Sequence, residues 1–325
     1  MTKFRTMKRF LGLISLLFFI NACDDGDLIV ETIDFESITA TKCDTKDIIY
    51  KLKDTEILLL QIPDETFLEN ETLEDEPIEI EITATTNVIY RLYNGQVSSD
   101  NICLLVPDAT PNVIEEWVTT SGTIQITTTA IKTTDAETNA TKITGYKHFI
   151  VLKNVIFQKP GGNQTYDSFT FGNYNTTVSP LAFGFDEEEV TKSTCDNRIF
   201  SFSGGEAFIL DVDNFDSLFA NVQTTTPRKA TISGTKKLTY KLFSGTVNNA
   251  FFCTSPAPSL PALSQEWNAV DGVEDISGEI EVTTTSNGPN TYRHTVRFKK
   301  VTMKKGNTSF YLGDDILYGS FDTTL

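Results

Sequence analysis

The chain has 325 residues, with 27 Lys and Arg against 44 Asp and Glu, for a formal net charge of −17. That acidic balance argues against nucleic acid and anionic headgroups as partners, because phosphate recognition needs clustered Lys and Arg. The length suits two domains of ordinary size, each able to bury its own core.

At the N-terminus, Lys3, Arg5, Lys8 and Arg9 form a basic head before an apolar run of eleven residues, Phe10 to Ile20. A permanent membrane helix needs about 20 apolar residues, so this run suits the apolar region of a signal peptide instead. Ile20-Asn21-Ala22-Cys23 follows: an aliphatic residue, a tolerant position, a small residue and a cysteine. The stretch resembles the lipobox of bacterial lipoproteins. The resemblance implies a signal peptide over 1–22, cleavage before Cys23, diacylation of the Cys23 thiol and acylation of the new amino group. Two or three acyl chains anchor stably where one is marginal, each buried CH₂ contributing about 0.8 kcal/mol.

Asp24-Asp25-Gly26-Asp27 then resembles the acidic export signal of surface lipoproteins in Bacteroidota. In enterobacteria an aspartate directly after the lipidated cysteine tends instead to retain the protein in the inner membrane. The expected location is the outer membrane, lipid-anchored and on the cell surface, with a periplasm-facing position as the alternative. Removing residues 1–22 leaves 23 basic and 44 acidic side chains, a charge of −21 over 303 residues. No later segment approaches 18 consecutive apolar residues, so the lipid is the only membrane attachment expected. The tether over 23–30 is short, and only about ten residues separate Cys23 from Asp34; extended they reach roughly 35 Å, which keeps the first module close to the membrane.

The rest of the chain is duplicated. "IYRLYNGQVSSDNIC", ending at Cys103, matches "TYKLFSGTVNNAFFC", ending at Cys253, at an offset of 150 residues. The offset carries on through Pro111 with Pro261, Glu116 with Glu266 and Trp117 with Trp267. Upstream, Cys43-Asp44 matches Cys195-Asp196. Downstream, "SGTIQITTT" matches "SGEIEVTTT", "YKHFIVLKNVIF" matches "YRHTVRFKKVTM", and "FGNYNTT" matches "YGSFDTT". Matches in order along nearly the whole mature chain mean repetition, not chance. The reading is two homologous modules, 31–177 and 185–325, joined by a linker at 178–184.

The duplication resolves the cysteines. Besides Cys23 there are four, two per module, separated by 60 and 58 residues. Shared positions favour Cys43–Cys103 and Cys195–Cys253 as disulfides over cross-module pairs, in an extracytoplasmic protein that can keep them. Two cysteines and one histidine per module match no zinc spacing.

Within each module the pattern is β. "IEIEIT" (78–83), "TIQITTT" (123–129) and "EIEVTTT" (279–285) alternate with period two, as half-buried strands should. In the segment 146–157, Ile150 and Leu152 share one parity while Val155 and Phe157 take the other. Val296, Phe298, Val301 and Met303 repeat the change. A β-bulge near Lys153-Asn154 and Lys299-Lys300 would bring all four apolar residues to one side. One short helix per module is expected over "TPNVIEEW" (110–117) and "LPALSQEW" (260–267), from Pro at the first turn and apolar residues four apart. The fold class is all-β: two tandem antiparallel β-sandwich domains, jelly-roll-like, of seven to nine strands each.

Candidate chemistry is sparse. His148 and His294 sit at equivalent strand positions with no catalytic motif around them, and read as structural. "DVDNFD" (211–216) lacks the glycine and terminal glutamate of a calcium loop. The run 64–76 carries seven carboxylates that its counterpart lacks, and with "FDEEE" (185–189) reads as solvated loop. Trp117 and Trp267, retained in both copies, read as core in preference to sugar platforms. No cofactor, metal or catalytic residue is expected. The functional expectation is a non-catalytic binding or structural lipoprotein of the cell envelope, with an unknown envelope protein or an extracellular glycan as partner. A surface glycan-binding protein and, less favoured, a carboxylate-based hydrolase are the alternatives.

Overall fold

In the computed structural model, the structure describes residues 32–186 and 188–325. The expected signal peptide, Cys23 and the 23–30 tether lie outside the described residues. The first repeat supplies eight strands: β1 (Thr41–Lys42), β2 (Ile48–Lys53), β3 (Glu56–Gln61), β4 (Ile78–Glu81), β5 (Asn87–Tyr93), β6 (Val113–Thr134), β7 (Thr141–Lys159) and β8 (Gly162–Thr177). The second supplies nine: β9 (Thr191–Lys192), β10 (Arg198–Ser203), β11 (Glu206–Val212), β12 (Arg228–Thr231), β13 (Lys236–Phe243), β14 (Leu263–Ala269), β15 (Glu279–Ser286), β16 (Thr291–Lys305) and β17 (Thr308–Thr324). Helices among the described residues are single turns: α1 (Asp100–Cys103), α2 (Phe215–Leu218) and α3 (Asn249–Cys253). The fold is all-β, one antiparallel sheet per repeat.

Each sheet folds over on itself. In the first repeat the order is β1-β2-β3-β5-β6-β7-β8, and β4 pairs with β6 on the same edge as β5 but farther along. Strand β6 changes register between Thr119 and Thr123, and beyond that point it pairs with β4. Gly122 sits in the bend at φ 126°, where an added Cβ would lie 2.8 Å from the carbonyl oxygen of Lys153; only glycine suits that place. In the second repeat the bend has become a gap. β14 and β15 are separate strands, joined by residues 270–278 with a bridge between Val273 and Ser277.

The predicted bulges are present. Asn154 and Lys300 take φ of 50° and 51°, and neither has a partner across the sheet. The extra residue reverses the parity, so Ile150, Leu152, Val155 and Phe157 are all buried, as are Val296, Phe298, Val301 and Met303. Strand β3, "EILLLQ", is buried on both faces. One of those faces packs under the disulfide loop, with Cys43, Tyr50, Ile57 and Tyr93. Phe200, Ile209, Phe243 and Val247 repeat this second layer in the other copy.

The helix expected over 110–117 and 260–267 is strand instead: β6 begins at Val113 and β14 at Leu263. A spacing of four fits a helix, but it is also even and so satisfies a strand pattern; in the strand that forms, a register shift separates exposed Val113 from buried Trp117. Cross-strand partners decide the matter. Tyr90 lies opposite Trp117, and Arg91 pairs with Glu116 at 2.6 Å. The Trp117 indole N–H donates to Glu115 Oε1 at 2.7 Å, and Trp267 repeats this to Gln265 at 3.1 Å. Side chains two residues apart face each other on a strand and not on a helix. One helical turn of each repeat, α1 and α3, ends at that repeat's second cysteine, and α2 lies after β11.

The repeats are docked on one another. The β6–β7 hairpin of the first repeat is longer than its β15–β16 counterpart and carries Ile143 and Tyr146 into the core of the second. The Tyr311 N–H donates to Thr141 Oγ1 at 2.7 Å, and Asn139 Nδ2 donates to Asp314 at 2.7 Å. Asn70 Oδ1 accepts from the backbone N–H of Asn307 at 2.9 Å and of Thr308 at 3.3 Å. Part of the acidic 64–76 run is therefore a clamp between repeats and not a solvated loop.

Candidate functional site

The cysteines pair as the duplication predicts. Cys43–Cys103 and Cys195–Cys253 are disulfides with Cα separations of 5.3 and 5.7 Å. Each staples its one-turn helix, α1 or α3, to the start of a sheet. A basic side chain seals the loop in both copies: Lys46 Nζ donates to the Ile102 carbonyl at 2.9 Å, and Arg198 Nη2 to the Phe252 carbonyl at 3.0 Å.

His148 and His294 are buried on β7 and β16 and spent on structure. Thr128 Oγ1 lies 2.9 Å from His148 Nδ1, and Thr176 Oγ1 lies 3.1 Å from its Nε2. Thr284 and Thr323 hold His294 the same way, at 2.9 and 2.8 Å. In the second copy Arg228 Nη1 donates to Thr284 Oγ1 at 2.8 Å, so the Thr284 proton goes to Nδ1 and Nε2–H donates to Thr323. Burial pushes both imidazoles down to about 4, with Arg228 adding to the effect at His294. Each is a neutral cross-strand bridge with both nitrogens occupied.

The other sequence candidates do not converge. Asp211, Asp213 and Asp216 are all exposed, and among the described residues no group of three or more His, Cys, Asp or Glu is placed to hold a metal. Of "FDEEE", Phe185 packs inward against Phe208 at 5.7 Å, while Glu189 lies 3.9 Å from Arg293. Trp117 and Trp267 are buried, with Lys159 and Lys305 lying 4.3 and 5.1 Å from the ring centres.

What does converge is a cavity of about 320 Å³ where the repeats meet. The first repeat contributes Thr141, Ile143 and Tyr146 from its long hairpin, the linker contributes Leu181 and Phe183, and Phe185 follows directly after it. The second repeat contributes Phe208, Trp267, Phe310 and Tyr318. The walls are mostly apolar, with aromatic rings prominent among them, and Lys142, Lys305 and Glu69 are the charged members.

The linker wall is fixed by a buried carboxylate. Glu206 accepts from the backbone N–H of Phe183 at 3.0 Å and of Gly184 at 3.2 Å, and also from the Tyr240 hydroxyl. Burial and the adjoining Glu206 raise the Tyr240 phenol well above its ordinary range, so it stays a donor. Phe183 is held at φ 47°, a conformation that costs a non-glycine residue free energy, with its ring 4.6 Å from Tyr240 and 5.8 Å from Phe310.

The first repeat uses the same framework without leaving the space. Tyr90 donates to Glu56 at 2.6 Å, as Tyr240 does to Glu206. Lys51 occupies the strand position of Ser201, and its buried ammonium donates to the Phe35 carbonyl at 3.0 Å and lies 5.6 Å from the Phe171 ring centre. In the second repeat Ser201 lines the cavity, and Tyr318, at the place of Phe171, donates to the Ile199 and Phe208 carbonyls at 2.7 and 2.8 Å. Replacing a buried lysine by serine at one register position leaves room. Residues 178–184 read as a linker in the sequence, and the structure makes them a wall of this cavity. Its available signal was the trio Phe183, Gly184 and Phe185 opposite the glutamate two residues after Gly204.

The fold and site define a duplicated all-β protein with two intramolecular disulfides and an aromatic cavity at the junction of its repeats. No protein-family profile, curated protein or solved structure matches the chain.

Proposed function

We propose that this protein is a lipid-anchored, non-catalytic binding protein of the cell envelope that takes a small apolar ligand into the cavity between its repeats. The cavity carries the reading: both repeats and the linker supply its walls, so the duplication is what builds it. Concave, mostly apolar spaces with a few polar groups at a junction are where small ligands are held. The anchor rests on the Cys23 lipobox, and outer-membrane surface display on the acidic residues that follow it. The two disulfides agree with an oxidising compartment. A role for Trp117 or Trp267 as a sugar platform has no support, because both indoles are buried.

Two experiments test this. A neutral dye, N-phenyl-1-naphthylamine, should bind the full-length protein in nanodiscs with enhanced fluorescence over empty discs. Ser201→Phe, which fills the cavity, should abolish that enhancement; equal binding to both proteins refutes the site. Non-permeant protease should degrade the protein on intact cells, and protection until lysis would place it on the periplasmic side.

A further inference from the structure

Resting on the reading of the cavity as a ligand site, we infer that its ligand is an anionic amphiphile: an apolar chain or ring packed among the aromatic walls, with a carboxylate or similar acidic group at Lys142 and Lys305. The polar groups of the cavity are not a random sample of the chain. Acidic side chains outnumber basic ones by 44 to 27 overall, yet the cavity has two lysines against one glutamate, Glu69. A local excess of positive charge in so acidic a molecule attracts anions and discourages cations of the same shape.

The two lysines come from different repeats. Lys142 stands on β7 beside Thr141, the residue that holds Tyr311, and Lys305 ends β16 beside Trp267. Lys305 Nζ lies 3.5 Å from Gln265 Oε1 and over the Trp267 ring, neutral partners that do not cancel its charge as a carboxylate would. Lys159 lies over Trp117 in the first repeat as Lys305 lies over Trp267, and in the second copy the pair lines the cavity. The apolar part of the ligand meets Phe183, Phe185, Phe310 and Tyr318, whose edges and faces pack hydrocarbon. The Tyr240 and Glu206 pair takes no part in headgroup binding, because its hydrogen bonds are already committed to the linker.

The test compares three ten-carbon probes by calorimetry on the full-length protein in phosphatidylcholine nanodiscs, with empty discs subtracted: decanoate, decanol and decyltrimethylammonium. Decanoate should bind at least tenfold tighter than decyltrimethylammonium, with decanol between them. K142Q combined with K305Q should bring the three within about twofold while decanol affinity stays unchanged. Ser201→Phe should remove all three, and Leu181→Trp provides a second filled cavity if that variant does not fold. Equal affinity for the three probes in the wild type would overturn the anionic headgroup while leaving the cavity as a ligand site. Binding of none of them would overturn both readings, and a preference for the cation would reverse the assignment.

Discussion

The two repeats are the same where they are held together and different where they meet. Each staples a one-turn helix with a disulfide, each links three strands through a Thr–His–Thr set, and each sets a Tyr–Glu hydrogen bond beside a tryptophan. The differences are Lys51 against Ser201, a 22-residue β6 against the split β14 and β15, and a long hairpin against a short one. The first and third of these bear on the junction: Ser201 lines the cavity, and the long hairpin carries Ile143 and Tyr146 into it. A duplication can keep one framework twice, because the framework is what each copy needs to fold. The surface between copies occurs once, and changes there are not repeated.

The largest expected effect comes from the shared staples. Closing loops of 60 and 58 residues restricts the unfolded chain, so Cys103→Ser or Cys253→Ser should each lower unfolding free energy by roughly 4 kcal/mol. Urea denaturation of the single variants measures this, and a much smaller loss in one repeat would show that its staple is dispensable.

The histidines come next. Each has a folded-state pKa of about 4, below the ordinary value of 6.5, so the unfolded chain binds the proton more readily between those values. Stability from this source is present above about pH 6.5 and lost as pH falls towards 4, by roughly 2–4 kcal/mol per histidine. H148N with H294N should flatten the midpoint against pH across that window. An unchanged slope would mean that other groups carry the acid sensitivity.

A smaller effect separates the repeats. Asn70→Ala removes the acceptor for the Asn307 and Thr308 N–H groups and should cost about 1–2 kcal/mol. The reciprocal Val222→Asn, at the matching position of the second repeat, should change stability by less than about 0.5 kcal/mol, because Val222 is exposed. Equal effects would mean that the repeats do not dock asymmetrically. Smallest of all, the half-exposed pairs Arg91–Glu116 and Lys241–Glu266 should each contribute about 0.5 kcal/mol or less in double-mutant cycles.

Much of this could be read from the residues, because the chain states its pattern twice. The parity change from Leu152 to Val155 is ambiguous alone, but recurring at Phe298 and Val301 it becomes a bulge. Two cysteines per copy removed the cross-module pairings, and a histidine at the same strand position in both copies pointed to structure. The helix at 110–117 was misread because a four-residue spacing satisfies both periods, and the deciding partner, Tyr90, is distant in sequence. The cavity was not legible for a different reason. Its walls come from a linker, an extended hairpin and a lysine-to-serine change, and these have no counterpart for repetition to amplify. Sequence symmetry reveals what is shared and is silent about what is unique.

The central claim is that the unique junction holds a small apolar ligand. The most direct measurement is to purify the full-length protein and its Ser201→Phe variant from their own membranes, denature both, and identify the small molecules released by mass spectrometry. The account predicts an apolar acid released from the wild type at close to one per chain and missing from the variant. The same compounds in equal amount from both proteins, or none from either, would contradict it.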